Sequence, residues 1–141
     1  MDMANLIQER VHDYYWNQDL NCATSTLKIL AEITGIDLQQ QVINAAAGMH
    51  GAGGYRAQCG LVEGALMFTG IIGHIKGLTG TEIIKNCYNY AEEFEKKFGS
   101  LLCKELRPEG FREDNPPHLC EGLTVEAIEF TAKYLLNTIE E

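Results

Sequence analysis

Proline is scarce in this chain: there are three in 141 residues, and Pro116 and Pro117 are adjacent, so most of the sequence is free to run as uninterrupted helix. No stretch alternates apolar and polar residues over a useful length, which excludes a sheet-based fold, and no internal repeat is present. Basic residues are few. Eleven Lys and Arg face twenty Asp and Glu, a formal net charge of −9 that repels polyanions, so neither nucleic acid nor an anionic membrane is expected as a partner. The first ten residues have no basic stretch followed by an apolar run, so no secretory signal is expected and the chain is placed in the cytoplasm. The longest apolar segment, residues 61–75, is broken by Glu63, His74 and glycines and is shorter than the roughly 20 residues a spanning helix needs, so no membrane insertion is expected.

What is present suits one globular domain over residues 1–141. Hydrophobic residues make up 45% of the chain and charged residues 22%, a balance that excludes wholesale disorder. Helical periodicity runs from end to end. Leu6, Ile7, Val11, Tyr14 and Tyr15 mark a helix over residues 3–17, closed near Trp16. Asn21 is a good N-cap for a second helix through Cys22, Ala23, Thr26, Leu27, Leu30 and Ile33, which Gly35 stops. Residues 38–47 read as a third, shorter helix, followed by a glycine-rich loop over 48–54 and a fourth helix over 58–72. Ile83, Ile84, Cys87, Tyr88, Ala91, Phe94 and Phe98 form the apolar stripe of a helix over residues 81–98, ended by Gly99. Val125, Ile128, Ala132, Leu135, Leu136 and Ile139 mark the last helix, with Thr124 as its cap. The predicted fold is an all-α, single-domain bundle of about five to seven helices.

Five cysteines are an odd number for a disulfide framework in a chain without a secretory signal. No Cys-x-x-Cys pair occurs, which argues against a zinc knuckle, a thioredoxin-type dithiol and covalently attached haem. Cys22 follows its candidate cap directly, and Cys59 falls in the first turn of the fourth helix. Free N–H groups and the positive helix end stabilise a thiolate there by roughly 0.3–1 kcal/mol, up to about 2 when partly buried. That lowers a thiol pKa by about one unit, so holding these cysteines ionised at neutral pH calls for a metal or a cationic neighbour. Cys103 lies in a short helix after Ser100, and Cys120 in the polar connection that follows Pro117, His118 and Leu119. Cys87 sits on the buried line of its helix between Ile83 and Ala91 and is read as a core residue.

Gly60 and Gly64 share one helix face, where a cofactor or another backbone can come close; tight helix packing or a dimer contact is the alternative. His50 and His118 lie near candidate cysteines as ligands or proton carriers, unless they are ordinary loop residues. His12 and His74 read as surface positions. Arg56 borders Cys59 and could stabilise its thiolate or be a surface arginine. The run Glu109, Arg112, Glu113 and Asp114 is a solvated face.

Cys22, the stretch Cys59, Gly60, Leu61, Val62, Glu63 and Gly64, then Cys103 and Cys120 resemble the redox-active proteins named for the pattern C_GCAxxG_C_C. The likeness covers about residues 21–120 and includes Asn21 and Ala23 around the first cysteine, Ala65 to Met67 after Gly64, and Phe98 and Gly99 before Cys103. This chain has Leu61 where the family usually has alanine. The resemblance implies a redox role resting on Cys22, Cys59, Cys103 and Cys120, without a defined substrate. A related domain occurs in split-Soret cytochromes, where an iron–sulfur cluster accompanies the haems; with no haem motif here, only the cluster carries over.

Three functions follow as expectations. In the first, the four cysteines bind an iron–sulfur cluster, most simply [2Fe-2S] and in preference to zinc, and pass single electrons to an unidentified redox partner protein as an oxidoreductase or an electron-transfer accessory. In the second, they cycle between thiol and disulfide without metal, with Cys59 attacking and another of the four resolving. In the third, the chain is a helical scaffold for a protein partner and its cysteines are simply buried. A homodimer is compatible with each.

Overall fold

The computed structural model describes residues 2–107 and 118–138. The acidic run from Glu109 to Asp114, with Pro116 and Pro117, lies outside the described residues. Among those described, the chain is all α and has eight helical segments: α1 (Met3–Trp16), α2 (Cys22–Thr34), α3 (Gln40–Ala45), α4 (Gly51–Gly54), α5 (Gly60–Ile75), α6 (Gly80–Phe98), α7 (Cys103–Leu106) and α8 (Glu121–Thr138). Two of them, α4 and α7, are single turns of four residues.

Local signals place most boundaries. Asp2 caps α1 by accepting the N–H of Asn5 at 2.8 Å. Gly35 and Gly99 end α2 and α6 in the left-handed region, at φ 72° and 92°, as their positions predict. Thr79 and Glu82 close a capping box at the start of α6.

α5 is the axis of the bundle. Its apolar residues point to two sides, so it is buried between two cores rather than along one stripe. One core gathers Ile7 and Val11 of α1, Leu27 and Leu30 of α2, Phe68 and Ile72 of α5, and Ile128 and Leu135 of α8. The other joins Cys59, Leu61, Val62 and Ala65 to Tyr90 and Phe94 of α6 and Ala127 of α8. Leu61, the departure from the family pattern, is therefore a core residue, 2% exposed.

Four expectations are corrected. The third helix is shorter, because residues 46–50 form turns that lead into a left-handed stretch with Ala52 at φ 58° and Gly53 at φ 66°. The fourth helix runs on to Ile75. Thr124 is not a cap: α8 already starts at Glu121, and the Thr124 hydroxyl is buried against Tyr15 Oη at 2.7 Å. The buried line of α6 is rotated, with Ile83, Tyr90 and Phe94 inside, Cys87 only half-buried, and Ile84 and Tyr88 71% and 69% exposed.

Candidate four-cysteine site

Cys22 is the first residue of α2, and the residue before it fixes its place. Asn21 Oδ1 accepts the Thr24 N–H at 2.8 Å, and Asn21 Nδ2 donates to the carbonyls of Ala46 and Ala47, both at 2.9 Å. One side chain therefore caps α2 and ties its start to the turns after α3. Those turns carry Met49, whose carbonyl faces Gly60 at the start of α5.

Cys59 is the N-cap of α5 and is 6% exposed. A Cβ on Gly60 would overlap both Cys22 Sγ and the Met49 carbonyl, and one on Gly64 would lie 2.8 Å from the Ala23 carbonyl. Both glycines thus face α2. They allow the close packing of the two helices, and Gly60 leaves the space that the Cys22 sulfur fills.

The third cysteine is held by a backbone pairing. Gln58 and Leu102 form an isolated antiparallel bridge, with the Cys59 N–H donating to the Leu101 carbonyl at 2.8 Å and the Cys103 N–H to the Ala57 carbonyl at 2.7 Å. Gly51 lies beneath it at φ 71°, where a Cβ would come within 3.2 Å of Cys103 Cβ and 3.3 Å of Arg56 Cα.

Cys120 enters from the other end of the chain. The turn at residues 118–120 leads into α8, with His118 at φ 57° and the Glu121 N–H donating to the His118 carbonyl at 3.0 Å. The His118 ring lies 5.5 Å from Tyr15 and 4.6 Å from Trp16, centroid to centroid. Trp16 Nε1 also donates to Glu121 Oε1 at 2.6 Å. The aromatic end of α1 therefore anchors the turn that carries the fourth cysteine.

Cys22, Cys103 and Cys120 line one cleft of about 550 Å³ with Asn21, His50, Arg56, Arg107 and His118. Cys59 is buried in the adjoining core. In every pairing of these four cysteines, one thiolate makes the other harder to form. Cys87, on α6, has no part in this coupling. His12 and His74 lie away from the cleft; His12 pairs with Glu121 at 3.1 Å, and His74 is exposed beside α3.

Burial dominates the thiol electrostatics. It pushes Cys22 up to about 12, with the charge of the other cysteines adding and the Ala23 N–H opposing. It pushes Cys59 up to about 11 against the N–H groups of Leu61 and Val62. The helix-start stabilisation read from sequence is present at both, but it is small beside the loss of solvation, so these thiols are protonated at neutral pH in the absence of metal. Cys103 and Cys120 are also raised by burial, with Arg107 opposing at both and Arg56 at Cys103. Arg56 therefore acts on Cys103 rather than on its near neighbour in sequence, Cys59. Arg107 carried no signal in the sequence, because only the fold brings it beside Cys120.

The donors are near neighbours without being a closed cage. Among the described residues, no three Cys, His, Asp or Glu side chains converge as ligands of a single ion. The five cysteines are free thiols.

A family model described as "putative redox-active protein (C_GCAxxG_C_C)" matches residues 20–134. No curated protein and no solved structure matches the chain.

Proposed function

The chain belongs to the redox-active C_GCAxxG_C_C family, and from that premise we propose that Cys22, Cys59, Cys103 and Cys120 are one redox site that holds an iron–sulfur cluster, most simply of the two-iron type. When bound, such a cluster supplies one-electron transfer. The observation that carries the reading is the convergence of cysteines from separate segments: Cys22, Cys103 and Cys120 line one cleft, and Cys22 Sγ fills the space beside Gly60, the residue that follows Cys59. The donor chemistry fits, since four thiolates are the usual ligands of such a cluster.

The chain's own residues contribute four things. Gly60 and the Asn21 cap fix Cys22, and the Gln58–Leu102 bridge fixes Cys59 relative to Cys103. The N–H groups of Ala23, Leu61 and Val62 favour negative charge on sulfur. The apolar core around Cys59 keeps water from the inner side.

Metal-free thiol–disulfide exchange fits less well. Its attacking group, Cys59, is buried and its thiol is raised to about 11, whereas such a nucleophile needs a low pKa and access. The decisive experiment is anaerobic purification with an absorption spectrum and iron, zinc and sulfide analysis. Brown protein with iron and sulfide is expected, and C22S, C59S, C103S and C120S should each lose most of the iron while C87S keeps it. Stoichiometric zinc without sulfide, or no metal in anaerobic preparations, would overturn the reading.

A further inference from the structure

We infer that residues 48–55, which run along one wall of the cysteine cleft, are a spring-loaded strap: left-handed strain held at Ala52 favours its release, and release admits reactants to Cys22 and Cys103. Backbone conformation carries the inference. Gly51, Ala52, Gly53 and Gly54 are left-handed in succession, at φ 71°, 58°, 66° and 85°. Glycine adopts that region freely, whereas an L side chain there crowds the following carbonyl, so Ala52 is the strained member of the run. Strain of this kind collects at functional sites. Among the described residues, the non-glycine residues with positive φ are Asp19, Ala52, Arg56 and His118. Three of them line the cleft, and Ala52 lies between two further lining residues, His50 and Gly54.

The strap is anchored at both ends and thinly buried between them. Before it, Asn21 Nδ2 donates to the carbonyls of Ala46 and Ala47. After it, the N–H groups of Lys104 and Cys103 donate to the carbonyls of Arg56 and Ala57 at 3.4 and 2.7 Å. Inside, the backbone hydrogen bonds are local: the Gly53 N–H donates to the Gly48 carbonyl at 2.9 Å, that of Gly54 to His50 at 3.0 Å and that of Tyr55 to Ala52 at 3.3 Å. Gly51 is the only buried residue of the strap, and Tyr55 is 84% exposed. A segment with short-range bonds and so little buried surface opens at low cost. It covers two cysteines. The Met49 carbonyl and Cys22 Sγ meet at one point beside Gly60, and a Cβ on Gly51 would come within 3.2 Å of Cys103 Cβ. Opening lets Ala52 leave the left-handed region, so the same strain that lowers the stability of the fold lowers the cost of opening the cleft.

The inference gives the cysteines of the proposed redox site an entry route, but it is tested on the full chain in its reduced, metal-free form, so loss of the cluster assignment leaves the test intact. The probe is iodoacetamide. It is neutral and so reports access rather than charge, and each thiolate displaces iodide from it to form a carbon–sulfur bond. Peptide mass spectrometry gives the rates at Cys22 and Cys103 relative to Cys87, which lies on α6 outside the cleft. Two substitutions move the spring in opposite directions. A52G removes the strain at an exposed position, and G53A adds strain where nothing lies within 4 Å of the new Cβ, so neither disturbs packing. In A52G the relative rates at Cys22 and Cys103 should fall about threefold and the folding equilibrium constant from urea denaturation should rise by about the same factor, the relief of left-handed strain less the flexibility glycine adds. G53A should do the reverse, and A52G/G53A, which shifts the spring by one residue, should return both quantities to near their wild-type values. Relative rates that stay constant in A52G while its stability rises would overturn the inference, because the strain would then not reach the cysteines. An A52G chain less stable than wild type, as alanine-to-glycine changes are in an ordinary helix, would overturn it by showing that no strain is held there. A52G alone decides both points, so the test stands even if G53A fails to fold.

Discussion

Gly60 leaves empty the space that the Cys22 sulfur occupies: a Cβ added there would overlap Cys22 Sγ and the Met49 carbonyl together. Two segments far apart in sequence meet at this point, and a single absent methyl group sets their distance. The contact joins packing to chemistry, because the same atom fills a helix interface and serves as a candidate ligand.

Gly60→Ala should therefore be costly in two ways. Overpacking against a carbonyl oxygen and a sulfur is expected to destabilise the fold by about 1–3 kcal/mol, and the displaced Cys22 should lower iron retention further than the stability loss alone accounts for. Gly70, on the same helix, is the control, since nothing lies within 4 Å of an added Cβ. Gly70→Ala should be neutral or stabilising by up to about 1 kcal/mol through helix propensity. Urea denaturation of both variants, with iron analysis of each, checks the pair; equal stability of the two would remove the packing argument.

Asn21 has three hydrogen bonds to lose. Asn21→Ala removes the cap on Thr24 and both donations to the Ala46 and Ala47 carbonyls. The cap alone is worth about 0.5–2 kcal/mol, and each neutral hydrogen bond adds about 1 kcal/mol. Asn21→Asp separates the two roles: it keeps an oxygen for Thr24 but turns a carboxylate toward two carbonyls. It too should be less stable than the wild-type chain, and a denaturation midpoint for Asn21→Asp at or above the wild-type value would show that the carbonyl tether is unimportant.

The unequal legibility of these features has a physical origin. Asn21, Gly35 and Gly99 were readable because a cap or a left-handed stop is decided by a few consecutive residues. A family model matches residues 20–134, and membership of that family was readable from the spacing of Cys22, Cys59, Cys103 and Cys120. The Gln58–Leu102 bridge was not, since it pairs residues more than forty positions apart in a chain with no strand pattern. Arg107 was missed for the same reason. Thr124 was misread as a cap because its hydroxyl fits that role locally, whereas the fold supplies Tyr15 as its partner. The sign of the cysteine shifts also escaped sequence, because burial is a property of the assembled cores and it exceeds what a helix start can offset.

Those raised thiols make the metal-free protein sensitive to alkali. A group whose folded pKa lies above its unfolded value contributes stability fully below the unfolded value and loses it as pH rises toward the folded one. For Cys22 the interval runs from 9.0 to about 12, and for Cys59 from 9.0 to about 11. Tyr15 and Tyr90 shift upward through burial and act in the same direction. Metal-free protein should thus be stable to about pH 9 and weaken steadily above it, with a shallower decline in the C22S/C59S variant. Denaturation midpoints in steps of pH test this, and a flat profile to about pH 11 would contradict the buried, protonated thiols.

Tyr90 and Thr131 offer a sharper test of the second core, because the donor can be assigned. The Thr131 hydroxyl gives its single hydrogen to the Ala127 carbonyl at 2.8 Å, so in the 2.7 Å contact with Tyr90 Oη the tyrosine must donate. Tyr90→Phe then removes a donor and leaves Thr131 with its own bond intact, at an expected cost of about 1 kcal/mol. Thr131→Val does the reverse: it strands a fully buried tyrosine hydroxyl without an acceptor, which costs about 1–3 kcal/mol. The double variant removes both groups and should be more stable than Thr131→Val alone. A thermodynamic cycle over the three variants measures the coupling, and a Tyr90→Phe penalty larger than that of Thr131→Val would reverse the donor assignment on which the ordering depends.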